Sequence, residues 1–226
     1  IIVNSKISWG FATGLLLCDS GFENSFRGCN KITRLIICGQ SVNVVTQTID
    51  LSECTSLTSM FILYSQSNWI LPSSLKSLYY NEYAKNYDGT QCTNLTSIGT
   101  NQNIIDTKFF ENFKNSPLKS ISFFRNQIDM TGFERLIGSY STLQTIGIGS
   151  DDYGYNSMNA RISGDCNSLA NFKNLKTLQI SYYKNKNIIN GISKLTSLEN
   201  LNLNNNTIGD ISEISNLTNL KELTLH

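Results

Sequence analysis

Chemistry needs side chains that exchange protons, attack a substrate or hold a cation, and this sequence offers few of them in usable arrangements. Its single histidine is the last residue, His226. There is no Gly-rich phosphate loop and no G-x-S-x-G, and adjacent carboxylates occur only at Asp151 and Asp152. No enzyme activity and no cofactor are expected. Six cysteines remain, but they form no C-x-x-C pair and have no nearby histidine, which disfavours a zinc site. With 18 basic against 17 acidic residues, the chain carries no nucleic-acid footprint. No apolar run approaches the ~20 residues of a membrane span, so neither nucleic acid nor membrane insertion is expected.

The elements that position these residues follow from one repeated phrase. The template apolar-x-x-apolar-x-apolar occurs as ITRLII from Ile32, LTSMFI from Leu57, LKSLYY from Leu75, LTSIGT from Leu95 and LKSISF from Leu118. It continues as LQTIGI from Leu143, LKTLQI from Leu175, LENLNL from Leu198 and LKELTL from Leu220, at steps of 18 to 32 residues. In a strand, alternation turns the second and third apolar residues of each copy to the same side. Stacked copies then form a parallel sheet in which each unit buries its apolar edge against the next.

The eighth place after the first apolar residue holds Asn103, Asn126 and Asn206, whose amides can satisfy backbone groups at the turn. Elsewhere that place holds Gln40, Ser65, Tyr83, Asp151 or Tyr183. The return segments carry apolar residues every third place, as at Ile208, Ile211, Ile214 and Leu217, which predicts tight 3₁₀-like arms. Two units have room for an α-helix. One covers Asp106–Asn115, stopped by Pro117; the other covers Phe133–Ser139, opened by a capping box at Thr131 and Glu134.

Four cysteines keep the register of the leucines. Cys29, Cys54 and Cys92 lie three residues before Ile32, Leu57 and Leu95, and Cys166 aligns with Leu169 and Phe172. Each reads as a small buried hydrophobe. Cys18 and Cys38 directly follow Leu17 and Ile37 and therefore face outward, either as a strained disulfide between neighbouring strands or as two free thiols.

The units resemble the leucine-rich repeat, LxxLxLxxN followed by a return segment. NNTIGDISEISNLTNLKELTL at 205–225 resembles the 22-residue repeats of bacterial internalins, with N-x-I-x-D-I and N-L-T-N-L. FRGCNKI, SECTSLTSM and TQCTNLTSI resemble the cysteine-bearing repeats of BspA-like surface proteins. The resemblance implies an α/β solenoid with a parallel β-sheet on its concave face. Short 3₁₀ or irregular return segments, with occasional α-helices, would line the convex face. Residues 1–31 would form an N-terminal cap or a degenerate first repeat. Residues 32–226 would hold about nine units, the last incomplete.

Such solenoids bind through the outward positions of their strands. Here these positions concentrate apolar residues in the N-terminal half. Leu16, Ile36, Phe61 and Tyr79 form a stripe, with Leu63 beside it and Phe124 further along, and an exposed apolar patch marks a contact surface. The alternative is a cap or neighbouring domain folding over the stripe. The longest unit has its excess at residues 149–165, read as a loop in which Tyr153 and Tyr155 could stack on a sugar or peptide. Asp151 and Asp152 could hold a hard cation there, although a plain solvated loop fits the same composition. Three N-x-T triplets start at Asn94, Asn205 and Asn216, and two of them are the N-L-T of the repeat itself.

The expected function is a non-catalytic module binding a protein or peptide ligand, in an extracellular or cell-surface protein as the internalin and BspA resemblance implies. The alternatives are a cytoplasmic scaffold or regulatory subunit, or the targeting domain of a larger enzyme. A start at Ile1 and an uncapped last strand predict a trimmed piece of a longer chain, or a partner covering the Leu223 and Leu225 edge.

Overall fold

The fold is taken from a computed structural model. It describes residues 2–3, 14–17, 26, 28–38, 48–63, 67–81, 86–101, 104–149, 161–183 and 185–225. For residues 2–3 and 14–17, and for Cys38, Asn81 and Asn86, only the backbone is described. The chain divides into two compact units, Ile1–Gly99 and Thr100–His226.

In the first unit the strands are β1 (Ile2–Val3), β2 (Gly14–Leu17), β3 (Arg34–Cys38), β4 (Thr48–Asp50), β5 (Ser59–Leu63), β6 (Asn68–Ile70), β7 (Ser77–Asn81), β8 (Asn86–Asp88) and β9 (Ser97–Asn101), the last of which runs two residues past the unit boundary. The phrase LxxLxL becomes a strand at each copy, and these strands lie side by side in the order β1-β2-β3-β5-β7-β9. Their register is parallel and unshifted, with Leu15 beside Leu35, Leu35 beside Met60 and Met60 beside Leu78. Because side chains alternate, Leu35, Ile37, Met60, Ile62, Leu78 and Tyr80 all turn inward and are buried. Pairing of β2 with β3 carries the sheet back through the stretch expected to be a cap or degenerate first repeat.

A second parallel sheet, β4-β6-β8, forms from the return segments, where the spacing predicts irregular or 3₁₀ arms. Its middle row aligns Ile49, Trp69 and Tyr87. Trp69 is 1% exposed, and Tyr87 meets Tyr80 of the repeat sheet at 4.5 Å. The core of this unit is thus held between two sheets. Bulky β-formers at every second position, as in TID-L and NWI-L, satisfy strand geometry better than a 3₁₀ turn.

The second unit contains β10 (Ile104–Ile105), α1 (Thr107–Asn112), β11 (Ser120–Phe124), β12 (Gln127–Asp129), β13 (Thr145–Gly149), β14 (Arg161–Ser163), β15 (Thr177–Ile180), β16 (Asn200–Asn202) and β17 (Glu222–Thr224). Its repeat strands follow the order β11-β13-β15-β16-β17, and β10-β12-β14 make a further outer sheet. Helix α1 opens at Asp106, whose carboxylate accepts from the Phe109 amide at 3.0 Å, and it is shorter than the predicted Asp106–Asn115. Phe109 and Phe110 from this helix, with Phe113 just after it, pack with Phe123 and Phe133 in one buried aromatic cluster.

The predicted helix over Phe133–Ser139 is instead two 3₁₀ segments, Met130–Arg135 and Ile137–Ser139. The cap is Asp129, not Thr131. Asp129 Oδ1 accepts from both the amide (3.1 Å) and the hydroxyl (2.8 Å) of Thr131, so the hydroxyl cannot cap the next turn. Further 3₁₀ segments at Cys166–Leu169, Ile192–Lys194 and Ser212–Asn216 fulfil the expectation for the C-terminal arms. The stretch 149–165 is only partly a loop: Gly149 ends β13, and Arg161–Ser163 pair with β12 as β14. Residues 150–160 lie outside the described residues.

Candidate functional site

With one side of each repeat strand committed to the core, the other side forms an open face. In the first unit, Ile36, Phe61 and Tyr79 occupy matching positions on β3, β5 and β7, and Leu16 holds the same position on β2. The side chains of Ile36, Phe61, Leu63 and Tyr79 are half-buried. The Phe61 and Tyr79 rings explain why. They stack at 4.8 Å with 10° between their planes, so the spacing of neighbouring strands is also a ring-stacking distance. Each ring hides a face of the other and leaves its edge to solvent. The row is therefore an apolar ridge more sheltered than an exposed stripe.

Leu63 lies beside this row, with Cys38 opposite it on β3. The side chains of Leu16 and Cys38, and all of Cys18, lie outside the described residues, as do Tyr153, Tyr155, Asp151 and Asp152. Phe124 belongs to the second unit and is 38% exposed, with the Arg125 guanidinium 5.8 Å from its ring centre. The open face of that unit is otherwise small and polar, through Ser122, Gly147, Gln179 and Asn202. Within it, Asn202 Oδ1 accepts from the Asn204 amide at 3.0 Å.

Two sets of polar side chains hold the strands that carry this face. Asn126, fully buried, donates through Nδ2 to the carbonyls of Thr100 (3.1 Å) and Phe124 (3.0 Å). Asn206 donates to Ile180 (2.5 Å) and Leu203 (2.9 Å) and accepts from the Tyr183 amide (2.9 Å). Asn103 lies outside the described residues.

The other set is not announced by the leucine template. In at least four units the residue immediately before the first leucine reaches back to a carbonyl of the preceding unit. Asn94 donates to Ser73 (3.0 Å), Asn174 to Ser141 (2.6 Å), Ser197 to Lys173 (2.5 Å) and Asn219 to Thr196 (2.8 Å). Asn94, the acceptor of one N-x-T triplet, is thus a clamp. The signal for this set is the recurrence of Asn or Ser at that place.

The titratable groups serve the fold. Cys29, Cys54, Cys92 and Cys166 are buried free thiols, as their register predicts. Burial pushes Cys54 and Cys92 up to about 12 and raises Cys29 and Cys166 as well. Hydrogen bonds from Lys221 and Lys176 lower Glu199 to about 2. Hydrogen bonds from Ser193 and the Gly191 amide lower Glu213, and those from Ser212 lower Asp210. Among the described residues no group of three or more His, Cys, Asp or Glu side chains could hold a metal ion. No helix among them is long and apolar enough to cross a membrane.

No protein-family model matches the sequence, and no curated protein matches it. Among solved structures, internalin C2 of Listeria monocytogenes superposes with a TM-score of 0.55 at 20% identity, over 88% of this chain and 82% of that one. The chain has a leucine-rich-repeat fold. A second internalin of Listeria monocytogenes aligns with 94% of this chain and 73% of its own, at 18% identity and a TM-score of 0.47. Leucine-rich-repeat architecture accounts for the parallel register, the phased leucines and the asparagines at the turns.

Proposed function

We propose that this leucine-rich-repeat chain is a non-catalytic interaction module that binds a protein or peptide ligand through the open face of its repeat sheet. It would work as part of a cell-surface or secreted protein. The observation that carries the reading is the stacked pair Phe61–Tyr79, in register with Ile36 and beside Leu63. Aromatic residues held rigid by their neighbours lose little entropy on binding and make effective anchors. The internalin-like fold supports the same reading.

Panning a random-peptide display library against the protein tests it. Phe61→Ala and Tyr79→Ala should each weaken the selected peptides by roughly 1–3 kcal/mol, with the circular dichroism spectrum unchanged. If both variants bind normally while changes at Phe124 or within 150–160 abolish binding, the ridge is not the site. A scaffold in a reducing compartment is the second reading, favoured by the four buried free thiols. Antibody staining of intact against permeabilised cells separates the two.

A further inference from the structure

The charges around the ridge point to the composition of its ligand. Arg34 lies two residues before Ile36 on β3, hence on the same open face, and it is exposed. Lys76, also exposed, immediately precedes β7, two residues ahead of the inward Leu78 and three ahead of Tyr79. Neither has an acidic partner among the described residues.

The described acids of this unit are occupied on its return segments. Asp50 Oδ1 accepts from the Ser52 amide at 2.9 Å, and Glu53 Oε2 from the Gly28 amide at 3.2 Å. Asp88 Oδ1 accepts from the amide (3.1 Å) and hydroxyl (2.6 Å) of Thr90. The corresponding places in the second unit look different. There Lys176 and Lys221 both pair with Glu199, at 2.9 and 2.6 Å. Two lysines of the second unit thus share one carboxylate, whereas Arg34 and Lys76 of the first unit share none with a described acid.

We propose that the ridge takes a peptide segment of one composition: an aromatic or aliphatic anchor flanked by Asp or Glu, the anchor packing on Phe61 and Tyr79 and the acids pairing with Arg34 on the open face and with the exposed Lys76 at the head of β7. This rests on the binding role proposed above for the same face. An apolar anchor alone would fit the ridge but leave both cations facing a neutral partner; a basic segment would be repelled. Small hydroxyl residues, Ser59 and Ser77, fill the row of Arg34 on β5 and β7, two residues before Phe61 and Tyr79, so a carboxylate can approach Arg34 without a bulky side chain beside it.

The experiment pans one random-peptide library against the native protein and against the Arg34→Gln/Lys76→Gln variant. Peptides from the native selection should carry Asp or Glu beside their apolar anchor, and those from the variant selection should not. Replacing each acid by its amide should weaken binding to the native protein roughly two- to fivefold, an effect erased by high salt and absent in the double variant. Winners without acidic enrichment, or acid-to-amide changes that leave affinity unaltered while Phe61→Ala still weakens it, overturn this composition and leave the ridge as the site. Winners indifferent to Phe61→Ala, or no winners at all, overturn the binding role and the composition together. Both positions are exposed, and an unchanged circular dichroism spectrum confirms that the double variant folds.

Discussion

Replacing Asn126 by alanine tests whether the turn asparagines, and not only the leucines, hold the stack together. The Asn126 amide donates to two main-chain carbonyls, Thr100 at 3.1 Å and Phe124 at 3.0 Å, and it does so at 0% exposure. Removing it takes a donor from the buried Thr100 carbonyl and from the part-buried Phe124 carbonyl. A buried acceptor left unmet costs about 1–3 kcal/mol and the part-buried one less, so a loss of about 2–4 kcal/mol is expected. The control is Asn174→Ala, which removes one bond to Ser141 at 2.6 Å from an exposed position where water can replace it. Its cost should stay within about 1 kcal/mol. Urea denaturation followed by circular dichroism gives both values, with the slopes compared because repeat arrays do not always unfold in one step. Asn126→Asp, which keeps the shape but loses both donors, should fall near the alanine variant. Equal losses for Asn126→Ala and Asn174→Ala would refute the argument that burial of the acceptors sets the scale.

In native buffer a bulky maleimide should leave Cys29, Cys54, Cys92 and Cys166 unlabelled and react with all four in denaturant; rapid native labelling of these four would contradict their burial. Because burial holds Cys54 and Cys92 at about 12 against an ordinary 9.0, the folded chain keeps protons that the unfolded chain releases. Their contribution is complete below pH 9.0 and is lost as pH rises towards about 12, so Cys54→Ala should flatten the alkaline fall of the denaturation midpoint. Glu199 has the opposite sign. Its carboxyl is lowered from 4.5 to about 2 by Lys221 and Lys176, so its contribution is present above pH 4.5 and disappears as pH falls towards about 2. Glu199→Gln should therefore remove part of the acid sensitivity, and an unchanged acid profile would count against the ion pairs.

The repeat strands are legible in the sequence because a single rule, apolar residues at fixed offsets, acts identically in every copy. Ile36, Phe61 and Tyr79 align from their spacing alone, since an unshifted parallel register follows from stacking like on like. What the spacing does not reveal involves choices between similar local energies. Ile49, Trp69 and Tyr87 sit in return segments that form strands rather than 3₁₀ arms, because each finds a pairing partner in a neighbouring unit. Asp129 displaces Thr131 as a cap because both lie within reach of the same turn, and the carboxylate is the stronger acceptor. The stacking of Phe61 on Tyr79, which shelters the ridge, depends on ring orientation that spacing alone does not specify.

The clamps that reach from Asn94, Asn174, Ser197 and Asn219 to the unit before them all end on main-chain carbonyls. A carbonyl is present whatever the neighbouring side chain happens to be. Each of these four units therefore brings its own fastener and asks only for a backbone of the right shape to fasten to. Such joints are indifferent to the identity of their neighbour, and a gene encoding them can duplicate, delete or exchange whole units without having to re-match the seams. Variation in the outward residues, where ligands are met, can then proceed independently of the joinery that keeps the array assembled.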